Sequence, residues 1–267
     1  MRISVRADLT YRFAEPCEVL LLVEAATGPD QAVERERLTL TSARELTRRD
    51  DPLTGERRVV FIAQGDIDIA YEATVEVAAR DGRLSGARAM AIRELPAEVL
   101  PFLRGSRYCP SDEFEAFVWR KFGGTRGGEK VEDMVDWIRS HLDYRAGVST
   151  SRSTARDTFL DCAGVCRDFT HLAISLCRAA DIPARAVSAY AWKLEPPDMH
   201  AVMEVYLDGG WRLIDPTGKA PVDGLVRVAT GLDAADIAFM TIFGKADLVV
   251  QSFGVRAADA RVPEAAE

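Results

Sequence analysis

Asp161-Cys162-Ala163-Gly164-Val165-Cys166-Arg167-Asp168-Phe169-Thr170-His171-Leu172 runs directly into a helix-forming segment, Ala173-Ile174-Ser175-Leu176-Cys177-Arg178-Ala179-Ala180, that ends before Pro183. Gly164 lets the chain turn tightly, which puts Cys166 in the first turn of a buried helix. A thiol there faces unpaired backbone N–H groups and the positive end of the helix macrodipole, and both favour thiolate. The same N–H groups can stabilise an oxyanion on an acyl carbon bound to the sulfur. Cys177 lies eleven residues on, on the same face but about 16 Å along the axis, and reads as a small buried hydrophobe. His171 points about 140° away from Cys166, so Cys162, Cys166, His171 and Cys177 cannot share one ion and no metal site is expected. Asp168 and His171, three residues apart, read as a hydrogen-bonded pair on one helix face.

The second informative segment is Asp198-Met199-His200-Ala201-Val202-Met203-Glu204-Val205-Tyr206-Leu207, then Asp208-Gly209, then Gly210-Trp211-Arg212-Leu213-Ile214-Asp215-Pro216-Thr217. Two strand-like runs flanking Asp-Gly signal a hairpin with a type I′ turn. With a two-residue loop, Leu207 pairs with Gly210 and Val202 lies opposite Asp215. His200 and Asp215 then become diagonal neighbours on one face, roughly 7 to 8 Å apart by Cα. A three-residue loop would turn Asp215 to the other face. Thiol at a helix start, imidazole on a strand and carboxylate on its hairpin partner match nucleophile, base and orienter.

Upstream, Val19–Val23, Arg58–Ala63 and Ala70–Val77 read as strands, the last with Tyr71, Ala73, Val75 and Val77 on one face. Gly28-Pro29-Asp30, Asp51–Gly55 and Asp81-Gly82 supply turns. Residues 1–100 therefore read as an antiparallel β-domain of the sandwich kind. Helix signals take over after Pro101: one helix from Ser111 through Lys121, then an interruption at Gly123-Gly124 and Gly127-Gly128, then a second from Lys130 to Leu142. Gly128 is followed by Glu129, so the glycines do not form a phosphate-binding loop. His141 reads as a surface residue at a helix end. Trp192, ahead of Glu195-Pro196-Pro197, is a candidate cleft residue. The run from Arg227 to Val255 is expected to add strands to the second domain, 101–256, and 257–267 to be a loose tail.

A net charge of −8, with basic residues interleaved with acids, argues against nucleic acid or an anionic membrane as partner. The first eight residues are too charged for a signal-peptide core, and no long apolar run follows, so the cytoplasm is the expected address. Five scattered cysteines point to free thiols rather than a disulfide framework. No cofactor is expected.

Gly164-Val165-Cys166-Arg167-Asp168-Phe169-Thr170-His171-Leu172, Met199-His200-Ala201, and Gly210-Trp211 with Asp215-Pro216-Thr217 together resemble, in order, the three motifs of the transglutaminase-like core of bacterial cysteine proteases and transamidases. The resemblance covers about residues 105 to 220. It implies an α+β, papain-like catalytic domain in which a helix-start nucleophile packs on an antiparallel sheet, with Cys166, His200 and Asp215 in the triad positions and a β-rich domain ahead of it. Tyr144 to Thr150 resembles the loop before the cysteine motif, which makes Tyr144 a supporting residue together with Asp168, His171 and Trp192. Many relatives carry an aromatic residue where this chain has Val202. The implied activity is cleavage or transfer at an amide of a peptide, protein or small-molecule substrate through a thioester, with hydrolysis favoured because no calcium-binding loop is evident. Protein-glutamine transamidation, or a dormant binding module, are the alternatives.

Overall fold

The structure is a computed structural model that describes residues 1–80 and 82–258. The expected turn at Asp81-Gly82 includes a residue outside this set, and the expected tail lies outside it beyond residue 258.

Strands β1 (Arg2–Leu21), β2 (Gln31–Leu40), β3 (Arg44–Asp50) and β4 (Arg57–Val77) build one antiparallel sheet. The two runs read from sequence as Arg58–Ala63 and Ala70–Val77 are one continuous strand. Gly65, at φ +74°, pairs with Phe13 at the point where the β1 register shifts. Such a bulge lets a long strand bend without ending, so β4 pairs β3 with one half and β2 with the other. Tyr71, Ala73, Val75 and Val77 are buried, as their alternation predicts. β2 and β3 escape an apolar-pattern reading because they are charged and largely exposed, as suits the flanks of a sheet.

The second half contains α1 (Glu115–Phe122), which continues a 3₁₀ turn at Ser111–Phe114, α2 (Gly127–His141), β5 (Asp143–Tyr144), α3 (Ala155–Asp161), β6 (Ala163–Gly164) and α4 (Cys166–Arg178). Helix α2 starts three residues earlier than its apolar stripe suggests. Its glycines are points of close approach: a Cβ on Gly128 would lie 1.8 Å from the Leu84 carbonyl oxygen. Then come β7 (Ala184–Ala191), β8 (Met199–Leu207), β9 (Gly210–Ile214) and β10 (Leu225–Gly231), in the antiparallel order β10-β7-β8-β9. The β8–β9 turn has positive φ at Asp208 and Gly209, and Leu207 pairs with Gly210, which is the two-residue register.

Helix α4 is buried from Asp168 to Arg178. It shares a core with Met203, Val205 and Leu207 of β8 and with the inner face of the first sheet. The opposite face of β8 is covered too, with Val202 packing against Val187, Leu213 and Leu225. His200 and Glu204 are thus enclosed rather than solvated, each 1% exposed. After α5 (Ala234–Ile237), the chain does not extend the second sheet as expected. β11 (Met240–Phe243) and β12 (Asp247–Ala257) return to pair with β1, and only β10 joins β7.

Candidate active site

Cys166 is the first residue of α4, half-buried at its N-terminus. Asp168 is bent back over this helix start. Its Oδ2 accepts the Val165 N–H at 2.8 Å and the Ser149 hydroxyl at 2.5 Å, while Arg167 donates to Oδ1 at 3.0 Å. The bend needs Gly164, since a Cβ there would lie 2.5 Å from the Asp168 Cβ. Asp168 is therefore committed to the helix start, which corrects the expected hydrogen bond to His171. His171 instead stacks on Tyr108, and its Nε2 accepts the Ala234 N–H at 3.1 Å. Burial drives its pKa down to about 4, so it is a neutral imidazole near pH 7.

Across from α4, the β8–β9 hairpin brings His200 Nε2 to 3.1 Å from Asp215 Oδ2. The Asp215 carboxylate is held by three further donors: the Thr217 N–H at 2.9 Å, the Thr217 hydroxyl at 2.7 Å and the Ala220 N–H at 2.9 Å. Arg139 on α2 clasps the Asp215 and Pro216 carbonyls from behind, at 2.6 and 3.2 Å. Burial opposes the ionised Asp215, yet His200 and the Thr217 and Ala220 donors outweigh it and hold the carboxyl below its ordinary range. Burial likewise opposes a charged His200, but Asp215 and Cys166 raise it to about 9. The other ring nitrogen, Nδ1, is buried without a hydrogen-bond partner, and Cys166 lies near the ring in the same cleft.

Tyr144 reaches Cys166 through a short parallel pairing of β5 with β6, in which Tyr144 pairs with Gly164. Its hydroxyl lies near Cys166. Burial and then the charge of an ionised Cys166 push the phenol up to about 12, and the Lys219 ammonium sits 4.2 Å over its ring. Cys166 and His200 open into a cleft of about 510 Å³. Trp192 is not among the cleft-lining residues; it packs beside Gly224 under the Lys193 ammonium, because its strand end is tied to Gly224 by a backbone hydrogen bond. His141 is exposed at the end of α2 and stacks on Trp137.

Cys109 and Cys177 are fully buried, and burial raises both to about 12, which fits a packing role. Among the described residues, no group of three or more His, Cys, Asp or Glu side chains is arranged to hold a metal ion. Sequence reading missed Thr217 and Ala220, although Asp-Pro-Thr is a turn in which an aspartate commonly accepts later N–H groups. It also missed Arg139 and Ser149, which carry no local signal.

The transglutaminase-like superfamily profile matches residues 120–216, a span that contains Cys166, His200 and Asp215. A Cytophaga hutchinsonii crystal structure, named as a candidate cysteine protease, is 35% identical with a TM-score of 0.91 and covers 98% of this chain and 92% of that one. An uncharacterized protein of Mycobacterium leprae is 31% identical over 146 residues, 51% of this chain and 52% of that protein. An uncharacterized protein of Mycobacterium tuberculosis is 28% identical over 124 residues, 41% of this chain and 40% of that protein. The match thus spans about half the length of these mycobacterial relatives or less. Because the first likeness runs over nearly the whole of both chains and the profile falls on the helix-start and hairpin motifs, this chain belongs to the transglutaminase-like superfamily.

Proposed function

We propose that the protein is a cysteine-dependent amidase or protease that cleaves an amide of a peptide or protein through a thioester, with Cys166 as nucleophile, His200 as acid and base, and Asp215 as orienter. The observation that carries this reading is a thiol at a helix N-terminus that shares a cleft with a buried imidazole, one nitrogen of which is 3.1 Å from a four-fold hydrogen-bonded carboxylate.

His200 takes the thiol proton, and the Cys166 sulfur attacks the amide carbonyl carbon, forming a C–S bond and an oxyanion. The N–H groups at the start of α4 serve as the oxyanion site, and Tyr144, which lies near Cys166, is the candidate second donor. The tetrahedral intermediate collapses, the C–N bond breaks, and the imidazolium gives its proton to the departing amine. Asp215 keeps the imidazole oriented and stabilises its charged form throughout. A water, deprotonated by His200, then attacks the thioester carbonyl and releases the acid and the thiol. Hydrolysis is favoured over transfer to an amine because Cys166 is only half-buried in an open cleft, where water reaches the thioester.

All five cysteines are free, which suits work in a reducing compartment such as the cytoplasm. Among the described residues, no helix is long and apolar enough to cross a membrane.

The test is the pH dependence of iodoacetamide alkylation at Cys166, read by mass spectrometry in the wild type and in His200→Ala. Cys162, the exposed thiol four residues away, serves as an internal reference. Labelling of Cys166 well ahead of Cys162 at pH 6, abolished by the substitution, supports a thiolate–imidazole pair. Labelling no faster than Cys162 in both proteins would make the site dormant.

A further inference from the structure

The cleft beside Cys166 has two walls of different origin. One comes from the catalytic sheet, with Met199 and Ala201 flanking His200. The other comes from the segment leading out of α5 and from the strands that pair with β1: Ile237, Phe239 and Met240, then Gln251 of β12. The first sheet therefore carries part of the surface that a bound substrate touches.

Both walls are mainly apolar, and apart from His200 the two charged residues that line the cleft are already engaged. Arg167 is held by Asp168 at 3.0 Å and by the Thr150 carbonyl at 2.8 Å. Asp198 accepts the Met199 N–H at 2.7 Å and the Gln251 amide at 3.2 Å. Both bonds on Asp198 go to Oδ1, and the residue is exposed rather than enclosed with the apolar lining. The Ser188 hydroxyl, from β7, is buried in this lining without a hydrogen-bond partner, a neutral group suited to a backbone N–H or carbonyl of an extended peptide.

We infer that this pocket takes an uncharged, apolar side chain on the acyl-donor side of the scissile amide, and that β11 and β12 of the first sheet supply the wall that makes the choice. The inference rests on the amide-cleaving function proposed above. A lysyl or glutamyl side chain packed between these walls would lose its water against apolar surface, whereas leucyl or methionyl would bury apolar surface against Met240 and Phe239.

The experiment uses the whole protein and three peptidyl acyloxymethyl ketones identical except for leucyl, lysyl or glutamyl beside the reactive ketone. In each, the Cys166 sulfur displaces the carboxylate leaving group, forming a C–S bond as the C–O bond breaks. Intact-mass spectrometry follows the second-order rate. The leucyl probe is expected to label Cys166 about tenfold to a hundredfold faster than either charged probe. Equal rates, or a faster charged probe, would overturn the inference, as would failure of all three probes when iodoacetamide labels Cys166 rapidly. If iodoacetamide also finds Cys166 no more reactive than Cys162, the amide-cleaving function itself falls. In Met240→Glu the ratio of lysyl to leucyl rates should rise about tenfold; an unchanged ratio would remove β11 from the selective wall.

Discussion

His200 and His171 belong to one helix-and-sheet unit and are equally hidden, each 1% exposed, yet their imidazoles are driven in opposite directions. At His171 burial prevails and the pKa falls to about 4. At His200 burial is overcome and the pKa rises to about 9. The difference is a hydrogen-bonded carboxylate. Asp215 reaches His200 while being held ionised by Thr217 and Ala220. Asp168, a helical turn before His171, is diverted to the start of α4. A buried imidazole is therefore charged or neutral according to which carboxylate the local backbone leaves available, not according to its depth.

The most severe way to break the comparison is to remove what His200 acts on. Cys166→Ala is expected to lower amide turnover by about 10³-fold or more and to abolish thioester formation, measured by acid-quench mass spectrometry. Asp215→Asn removes the charge that separates the two histidines. Turnover should fall by about 10²- to 10⁴-fold, and the basic limb of the pH profile should move from about 9 toward the ordinary histidine value near 6.5. The sign follows from the raised pKa: in the proposed mechanism the imidazolium that protonates the leaving amine is lost as pH climbs through about 9.

Stability should reveal the two sites with opposite signs. A raised histidine contributes stability that is fully present below its unfolded value near 6.5 and is lost as pH rises through about 9, which describes His200. His171 is depressed, so the unfolded chain binds a proton that the native state refuses, and stability falls as pH drops from about 6.5 to about 4. In His171→Gln the loss of urea stability between pH 7 and pH 4.5 should shrink by about 2 kcal/mol. An unchanged gap would mean that His171 is not held neutral. The smallest effect expected is that of Asp168→Ala, which deprives the helix start of its acceptor and should cost about 1–2 kcal/mol, with slower Cys166 alkylation.

The half that carries the candidate site was legible in sequence because its signals are short-range. Asp208-Gly209 fixes a turn type, the turn fixes a register, and the register puts His200 and Asp215 on one face. Gly164 ahead of Cys166 reads as a tight turn, but the structure gives it another reason, the close approach of Asp168. What could not be read depends on pairings between distant segments. Nothing local in Asp247–Ala257 says that it will lie against β1, and nothing in Arg139 says that it will grip the Asp215 carbonyl. Charged β2 and β3 carry no apolar alternation, and β4 read as two strands because a bulge at Gly65 has the same signature as a turn. The Asp168–His171 pairing failed because helical spacing tells which residues are neighbours but not which has a better partner elsewhere.

The pairing of β1 with β11 and β12 also orders events in time. During synthesis the thiol, the imidazole and the carboxylate all leave the ribosome before Met240 and Gln251, so a nascent chain holds its reactive groups while one side of the cleft is still missing. β1 must keep an edge free until β11 and β12 arrive to cover it. Under the proposed function, the thiol acquires its selectivity only once β11 and β12 have been made and have docked on β1.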